Sequence, residues 1–371
     1  MHNKIVVGLA FGDEGKGLTT SFLSEKADPN SIVIRHNGGQ QAGHTVEYNG
    51  RRHVFSQLGS GTLQGLPTYF TSDCTFYPPS FFREYLLLKD LSPVITIHPM
   101  TKITLPIDID FNRAQEDTRG TKRHGSVGMG FGQTIARNEA HYTLYAKDLL
   151  YPIVAREKIK SIYKNYYLAP LSAESLEDIE NFLKTVERVL SIIKVEDLDR
   201  IMSTNYSSVI YETSQGVLLD QFHGFFPNVT RSNTTSKNAI EHIKRGNGRY
   251  HSHNTEVYYI TRTYQTRHGN GFMSNENSKP LTLKNNENET NQSHSYQGEF
   301  RTSPLDVELL KYAIQSDMQY SAITSKNLVI TCLDQHHINI TKLWRELEKV
   351  CKFDKIFRST GPSLTNIKQI G

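Results

Sequence analysis

The sequence predicts an α/β fold, a single large domain around a mostly parallel central sheet. Three observations carry that expectation. Short β-branched runs alternate with segments of helical period, the order that builds parallel sheets. The first run leads through a glycine-rich turn into a helical segment. No clean break in composition divides the 371 residues, so one domain covers 1–371.

The elements follow in order. Residues 5–10 form the first strand candidate, and residues 18–23 read as the helix behind the glycines. Residues 31–35 (SIVIR) are a second buried strand, ending in Asn37-Gly38-Gly39. Residues 79–90 have helical spacing after a proline start, and residues 93–97 suit a strand. Residues 173–203 carry a helical pattern that puts Leu176, Ile179, Phe182 and Leu183 on one face. Residues 207–211, 257–261 and 327–331 are further strand candidates, and residues 305–314 and 341–350 read as helices. Residues 274–295 are rich in Asn, Glu and Ser, which predicts a polar loop.

Composition narrows the function. The chain is 37% hydrophobic, enough for a sizeable core, and its formal charge is +4. No concentrated basic stripe marks a nucleic-acid surface. Arg119, Lys122, Arg123 and His124 make a short basic stretch beside glycines. Such a stretch suits a solvated loop or a single phosphate. Three cysteines, Cys74, Cys332 and Cys351, are too few and too odd for a disulfide scaffold and fit a reducing compartment. The first residues read as a strand and not a signal peptide, and no apolar stretch approaches the ~20 residues that span a bilayer. A soluble, cytoplasmic protein is expected.

The first chemical motif is Gly12-Asp13-Glu14-Gly15-Lys16-Gly17. Glycines bring backbone amides to phosphate oxygens, and the following helix start adds a favourable dipole. Lys16 is placed to neutralise phosphate charge. The chain lacks an ordinary P-loop, because Ala10 stands at the first glycine and Gly17 at the hydroxyl position. Alone, this turn is as readily structural as functional. The second motif, Gly38-Gly39-Gln40-Gln41-Ala42-Gly43-His44-Thr45, follows the second strand. Two polar loops after neighbouring strands would set an Asp and a His across one crevice.

Together these motifs resemble the adenylosuccinate synthetases, whose patterns are close to WGDEGKGK and GGxNAGHT. The likeness continues in order. Gly59-Ser60-Gly61-Thr62-Leu63 resembles PSGIL, and Pro78, Phe81 and Glu84 match a DPxxLxxE helix start. Residues 124–132 resemble IGTTGRGIG, and Glu212 to Gly216 with Leu219-Asp220 resembles EGAQG…LD. Residues 227–235 resemble YPYVTSSNTT, and residues 264–271 resemble YTTRVGSG. Thr331-Cys332-Leu333-Asp334 is similar to TKLD, and residues 359–362 to a terminal STGP. The likeness spans nearly the whole chain; typical members are longer, and this one resembles the compact forms.

The resemblance implies a P-loop-NTPase-like fold and a ligase that makes adenylosuccinate from IMP and L-aspartate with GTP and Mg²⁺. It implies that Asp13 is the base and a Mg²⁺ ligand with the Gly43 carbonyl, that His44 is the acid, and that Lys16 serves the phosphates. Gly12, Glu14, Gly15, Lys16, Gly17, Gly43, Thr45, Asp334, Ser359 and Gly361 would hold GTP. Asp13, Gln41, Ser126, Val127, Arg137, Gln215 and Thr230 would hold the monophosphate, with Arg137 reaching across a homodimer interface.

The chain departs from the pattern in places. Gln41 replaces an Asn, Val127 a Thr, and Cys332 a Lys. Where the family has TTGRxRRxGWLD, residues 295–306 read SYQGEFRTSPLD. Anchored on Leu305-Asp306, Arg301 keeps one arginine place, while Gly298 and Phe300 fill the other two. Arg301, Thr302 and Arg267 would then bind aspartate. Two alternatives stay open: a synthase acting on dGMP, as in viral relatives, and a nucleotide-binding homologue with impaired catalysis. Retention of Asp13 favours IMP.

Overall fold

In the computed structural model, residues 1–245, 254–278, 281–285, 289, 291 and 296–371 are described. The core is a ten-stranded sheet. Its strands are β1 (His2–Gly8), β2 (Ser31–Arg35), β5 (Thr68–Phe70), β7 (Ile95–Ile97), β9 (Lys194–Val195), β10 (Ser208–Gly216), β11 (Thr255–Arg262), β14 (Ser325–Thr331), β15 (Lys355–Ser359) and β16 (Ile367–Gln369). Their order is β16-β15-β14-β11-β1-β10-β2-β5-β7-β9. All neighbours run parallel except β15 and β16. Among the described residues there are also three two-stranded sheets: β3 (His44–Tyr48) with β4 (Arg51–Phe55), β6 (Thr75–Phe76) with β8 (Lys102–Ile103), and β12 (Tyr264–His268) with β13 (Phe300–Pro304).

β1 explains why its sequence is apolar without alternation. Ile5 and Val7 join one buried cluster, while Val6 joins another with Leu18 and Phe22. Both faces are covered, as parallel sheets require. A third cluster, including Phe55, Phe76, Phe81 and Ile103, packs beneath the β3–β4 hairpin.

Four helices shape the cleft or its support: α1 (Lys16–Glu25), α2 (Pro78–Leu88), α3 (Pro106–Arg119) and α4 (Phe131–Glu139). α1 starts after Gly15 at φ 98°, and α2 and α3 each carry proline in the first turn, where a missing amide costs nothing. The expected helix over 173–203 is divided. Its first part is Ala173–Leu190 and its last Leu198–Ser203. Between them Lys194 and Val195 pair with Thr96 and Ile97, so edge pairing overrides the helical pattern. The polar segment 274–295 lacks helix or strand at its described positions; its other residues lie outside the described set.

Candidate active site

A cleft of about 1250 Å³ opens where several strands end. Loops after β1, β2, β10, β14 and β15 and the last residue of β11 all reach it, the usual ligand-binding end of an α/β sheet. It gathers Gly12, Asp13, Gly15, Lys16, Gly17, Gln41, Gly43, His44, Thr45, Ser126, Val127, Gln215, Thr230, Arg267, Asp334 and Gly361.

The phosphate turn is built around Glu14. Its buried carboxylate accepts from the amides of Ala10 (3.0 Å) and Gly12 (2.8 Å) and pairs with Lys16 Nζ at 2.5 Å. The expectation that Glu14 contacts nucleotide is therefore corrected for its side chain, which points inward and serves the loop. A β-carbon on Gly8 would lie 2.2 Å from Glu14 Oε2. Gly17 has a separate reason. A β-carbon there would come 2.8 Å from Cβ of His44, so β3 occupies the place of the usual Ser/Thr hydroxyl.

Asp13 sits in the left-handed region at φ 63°. Arg262 Nε donates to its carbonyl at 2.5 Å, and His268 Nε2 lies 3.4 Å from its Oδ2. Burial pushes the carboxyl up, but His268 and Arg262 outweigh it and hold it below the usual range. His44 pairs through Nδ1 with Glu212 Oε1 at 2.6 Å. Ser60 donates its amide (3.0 Å) and its hydroxyl to the same carboxylate. Burial would raise Glu212, yet His44, Arg35 and Ser60 hold it at about 2. Burial pushes the imidazole of His44 down, against the pull of Glu212. A neutral ring donating from Nδ1 leaves Nε2 for a ligand, a tautomer assigned from this contact.

On the monophosphate side, both amide atoms of Gln41 are buried without a partner among the described residues. Ser126 Oγ donates to Asn112 Oδ1 at 3.0 Å, so its hydroxyl already has an acceptor. Arg137 is a correction. It is fully buried, pairs with Asp108 at 2.9 Å, and donates to the carbonyls of Ile103 and Tyr142. It ties α4 to α3 and does not reach outward to a partner.

The expected amino-acid residues are divided. Arg267 lines the cleft, lies 4.2 Å from the Phe11 ring centroid, and donates to the carbonyls of Phe272 and Asn228. Arg301 and Thr302 are not in the cleft wall; Arg301 is held by Glu276 and the Gly271 carbonyl. Ser359 is buried and donates to the Gly361 carbonyl at 2.7 Å, shaping the turn that reaches the cleft. Sequence reasoning gave no role to Glu212, Arg262, His268 or Ser60. Their signal was position: three fall inside the matched motifs, and Arg262 ends β11.

A glycine turn with an inward lysine at the end of a central parallel strand marks a nucleotide-dependent, phosphate-handling α/β protein. The comparisons define it further. The adenylosuccinate synthetase family profile matches residues 5–354. The adenylosuccinate synthetase of Thermoplasma volcanium is 32% identical over 327 residues, 84% of this chain and 72% of that one. Across that protein and seven further adenylosuccinate synthetases at 29% to 32% identity, the chain spans 55% to 72% of their length. Among solved structures, the fully ligated adenylosuccinate synthetase of Plasmodium falciparum superposes with a TM-score of 0.75 at 19% identity, covering 98% of both chains. The cyanophage S-2L succinoaminodeoxyadenylate synthetase bound to dGMP and dATP gives 0.65 at 18% identity, covering 99% of this chain and 95% of that one. The chain belongs to the adenylosuccinate synthetase family, a family of GTP-dependent ligases.

Proposed function

We propose that the chain forms adenylosuccinate from IMP and L-aspartate while GTP becomes GDP and phosphate. The supporting observation is that Asp13, in the turn after β1, and His44, at the start of β3, line one cleft with Lys16. Asp13 takes the N1 proton of the 6-oxopurine. The 6-oxygen attacks the γ-phosphorus, and GDP leaves. The aspartate amine then forms the new bond at C6, and phosphate leaves. His44 Nε2 faces the developing charge on the 6-oxygen, and Lys16 the phosphates.

Asp13 and the Gly43 carbonyl fit a Mg²⁺ ion. They are hard oxygen donors and leave most positions to water and phosphate, the manner in which Mg²⁺ binds. Among the described residues no cluster of three His, Cys, Asp or Glu forms an all-protein metal cage. The ion, when bound, neutralises triphosphate charge. Asp334 accepts from guanine N1–H and the 2-amino group, which favours GTP over ATP. Gln41, Gln215 and Thr230 bind the monophosphate, and Arg267 faces the amino acid.

No helix among the described residues is long and apolar enough to cross a membrane. The proposal places the enzyme in the cytoplasm as a homodimer.

The test offers IMP and dGMP separately with Mg²⁺, GTP and L-aspartate, and reads product by mass spectrometry and phosphate release. Adenylosuccinate from IMP alone supports the reading. Product from dGMP alone moves the chain to the aminoadenine reaction. Absence of product, with nucleotide bound, overturns the ligase reading.

A further inference from the structure

We propose that His268 is a positioning residue for Asp13, donating from Nε2 to its carboxylate and so fixing the orientation in which that carboxylate meets its ligands. This rests on the reading of Asp13 as the base.

Asp13 needs such support. Its backbone is left-handed, in a turn between β1 and α1, so neither a ladder nor a helix orients its side chain. Arg262 pins its carbonyl but serves the main chain. Lys16, whose charge also acts on the carboxyl, is paired with Glu14. Among the described residues, His268 is the side chain that reaches the carboxylate, with Nε2 3.4 Å from Oδ2.

The tautomer follows from burial. His268 Nδ1 is buried with no partner among the described residues. A proton there would bury an unpaired N–H and turn the Nε2 lone pair toward the carboxylate. Both cost free energy, so the proton belongs on Nε2. The ring itself is fixed. His268 ends β12 directly opposite Phe300 on β13, and the two rings are 5.0 Å apart between centroids. The side chain is 10% exposed.

The sequence supports the pairing. His268 stands where the matched motif YTTRVGSG has Val, and Phe300 where TTGRxRRxGWLD has Arg. The two departures are cross-strand neighbours. A small apolar residue and a cation have been exchanged for an imidazole and a ring that braces it.

The experiment compares His268→Val with His268→Gln, which keeps an N–H donor at similar reach. Loss of aim by about 1 Å can cost about 100-fold in rate. His268→Val should lower kcat about 10- to 100-fold with KM for IMP and GTP within about twofold, and His268→Gln should recover most of it. Phe300→Leu, which keeps His268 but removes the brace, should show a smaller fall of the same kind. In an Asp13→Asn background, His268→Val should add nothing. Wild-type kcat in His268→Val, or a change confined to KM, overturns the proposal. So does a Gln variant no better than Val. If Asp13→Asn itself keeps wild-type turnover, the base reading fails instead, whatever His268 does. Thermal unfolding and IMP titration on each variant separate misfolding from these outcomes; a His268→Val chain that no longer binds IMP would overturn the proposal in favour of a structural role.

Discussion

The first residue of β3, His44, and the fifth of β10, Glu212, meet as a buried pair with Nδ1 and Oε1 2.6 Å apart. This contact joins the loop hairpin to the central sheet. Glu212 is itself held by the amide and hydroxyl of Ser60, so the ring has one orientation in which its free nitrogen belongs to the ligand. The arrangement matches the logic of catalytic histidines generally, where a buried carboxylate fixes the tautomer.

Glu212 should therefore carry both stability and rate. Glu212→Gln removes the buried charged acceptor that His44 and Ser60 share, and a hydrogen bond to a charged group is worth about 1.5–3 kcal/mol. The carboxyl is held at about 2 in the folded chain, below its unfolded value, so its contribution is complete above the unfolded value and fades as pH falls toward 2. Urea unfolding from pH 7 down to pH 3 should show the wild type losing its advantage over the variant. A constant difference across that range would refute the assignment.

Asp13→Asn keeps a residue that tolerates the left-handed backbone while removing the base. Turnover should fall by roughly 10²–10⁴, while the melting temperature falls only slightly through loss of the charged contact with His268 and Arg262. Phosphate release under single-turnover conditions checks it.

Gly17→Ser would restore a hydroxyl common to ordinary phosphate loops. Here its β-carbon would meet His44 at 2.8 Å, so it should lower activity instead of improving magnesium use. Titrating Mg²⁺ against turnover reads the difference; a gain in apparent metal affinity at full rate would contradict the steric argument.

Arg137→Ala should act on stability and not on substrate. Its partner Asp108 would be left buried and unpaired, a loss of about 3–5 kcal/mol. Mixing this variant with an Asp13→Asn chain should not restore turnover beyond the active subunits present. Complementation would show that the arginine reaches a neighbouring site after all.

Arg267→Ala should raise KM for aspartate more than Arg301→Ala does, because Arg267 lines the cleft while Arg301 is engaged by Glu276. Burial and then the nearby Arg301 lower the guanidinium of Arg267 to about 10, which leaves it charged at neutral pH. Steady-state kinetics with varied aspartate decides between them.

Much of this was legible in the sequence because it depends on local chemistry. Residues 31–35 form the strand that their apolar run predicts, and Asp13, Lys16 and His44 share a cleft as their two loops suggest. Other features depend on packing between distant segments. Arg137 looks like a surface arginine until Asp108, 29 residues earlier, is brought against it. The β9 strand exists because Ile97 is there to pair with Val195. Glu14 reads as a ligand in the motif, yet the space under Gly8 draws it inward. His268 and Phe300 are ordinary residues in sequence and acquire meaning only as cross-strand partners.

The inward Glu14 carboxylate gives the turn its own internal template. Backbone amides that would otherwise wait for an anion are already satisfied at Ala10 and Gly12, and Lys16 already has a counter-charge. Ordering the turn is thus completed during folding, and an arriving nucleotide meets a finished mould instead of moulding one.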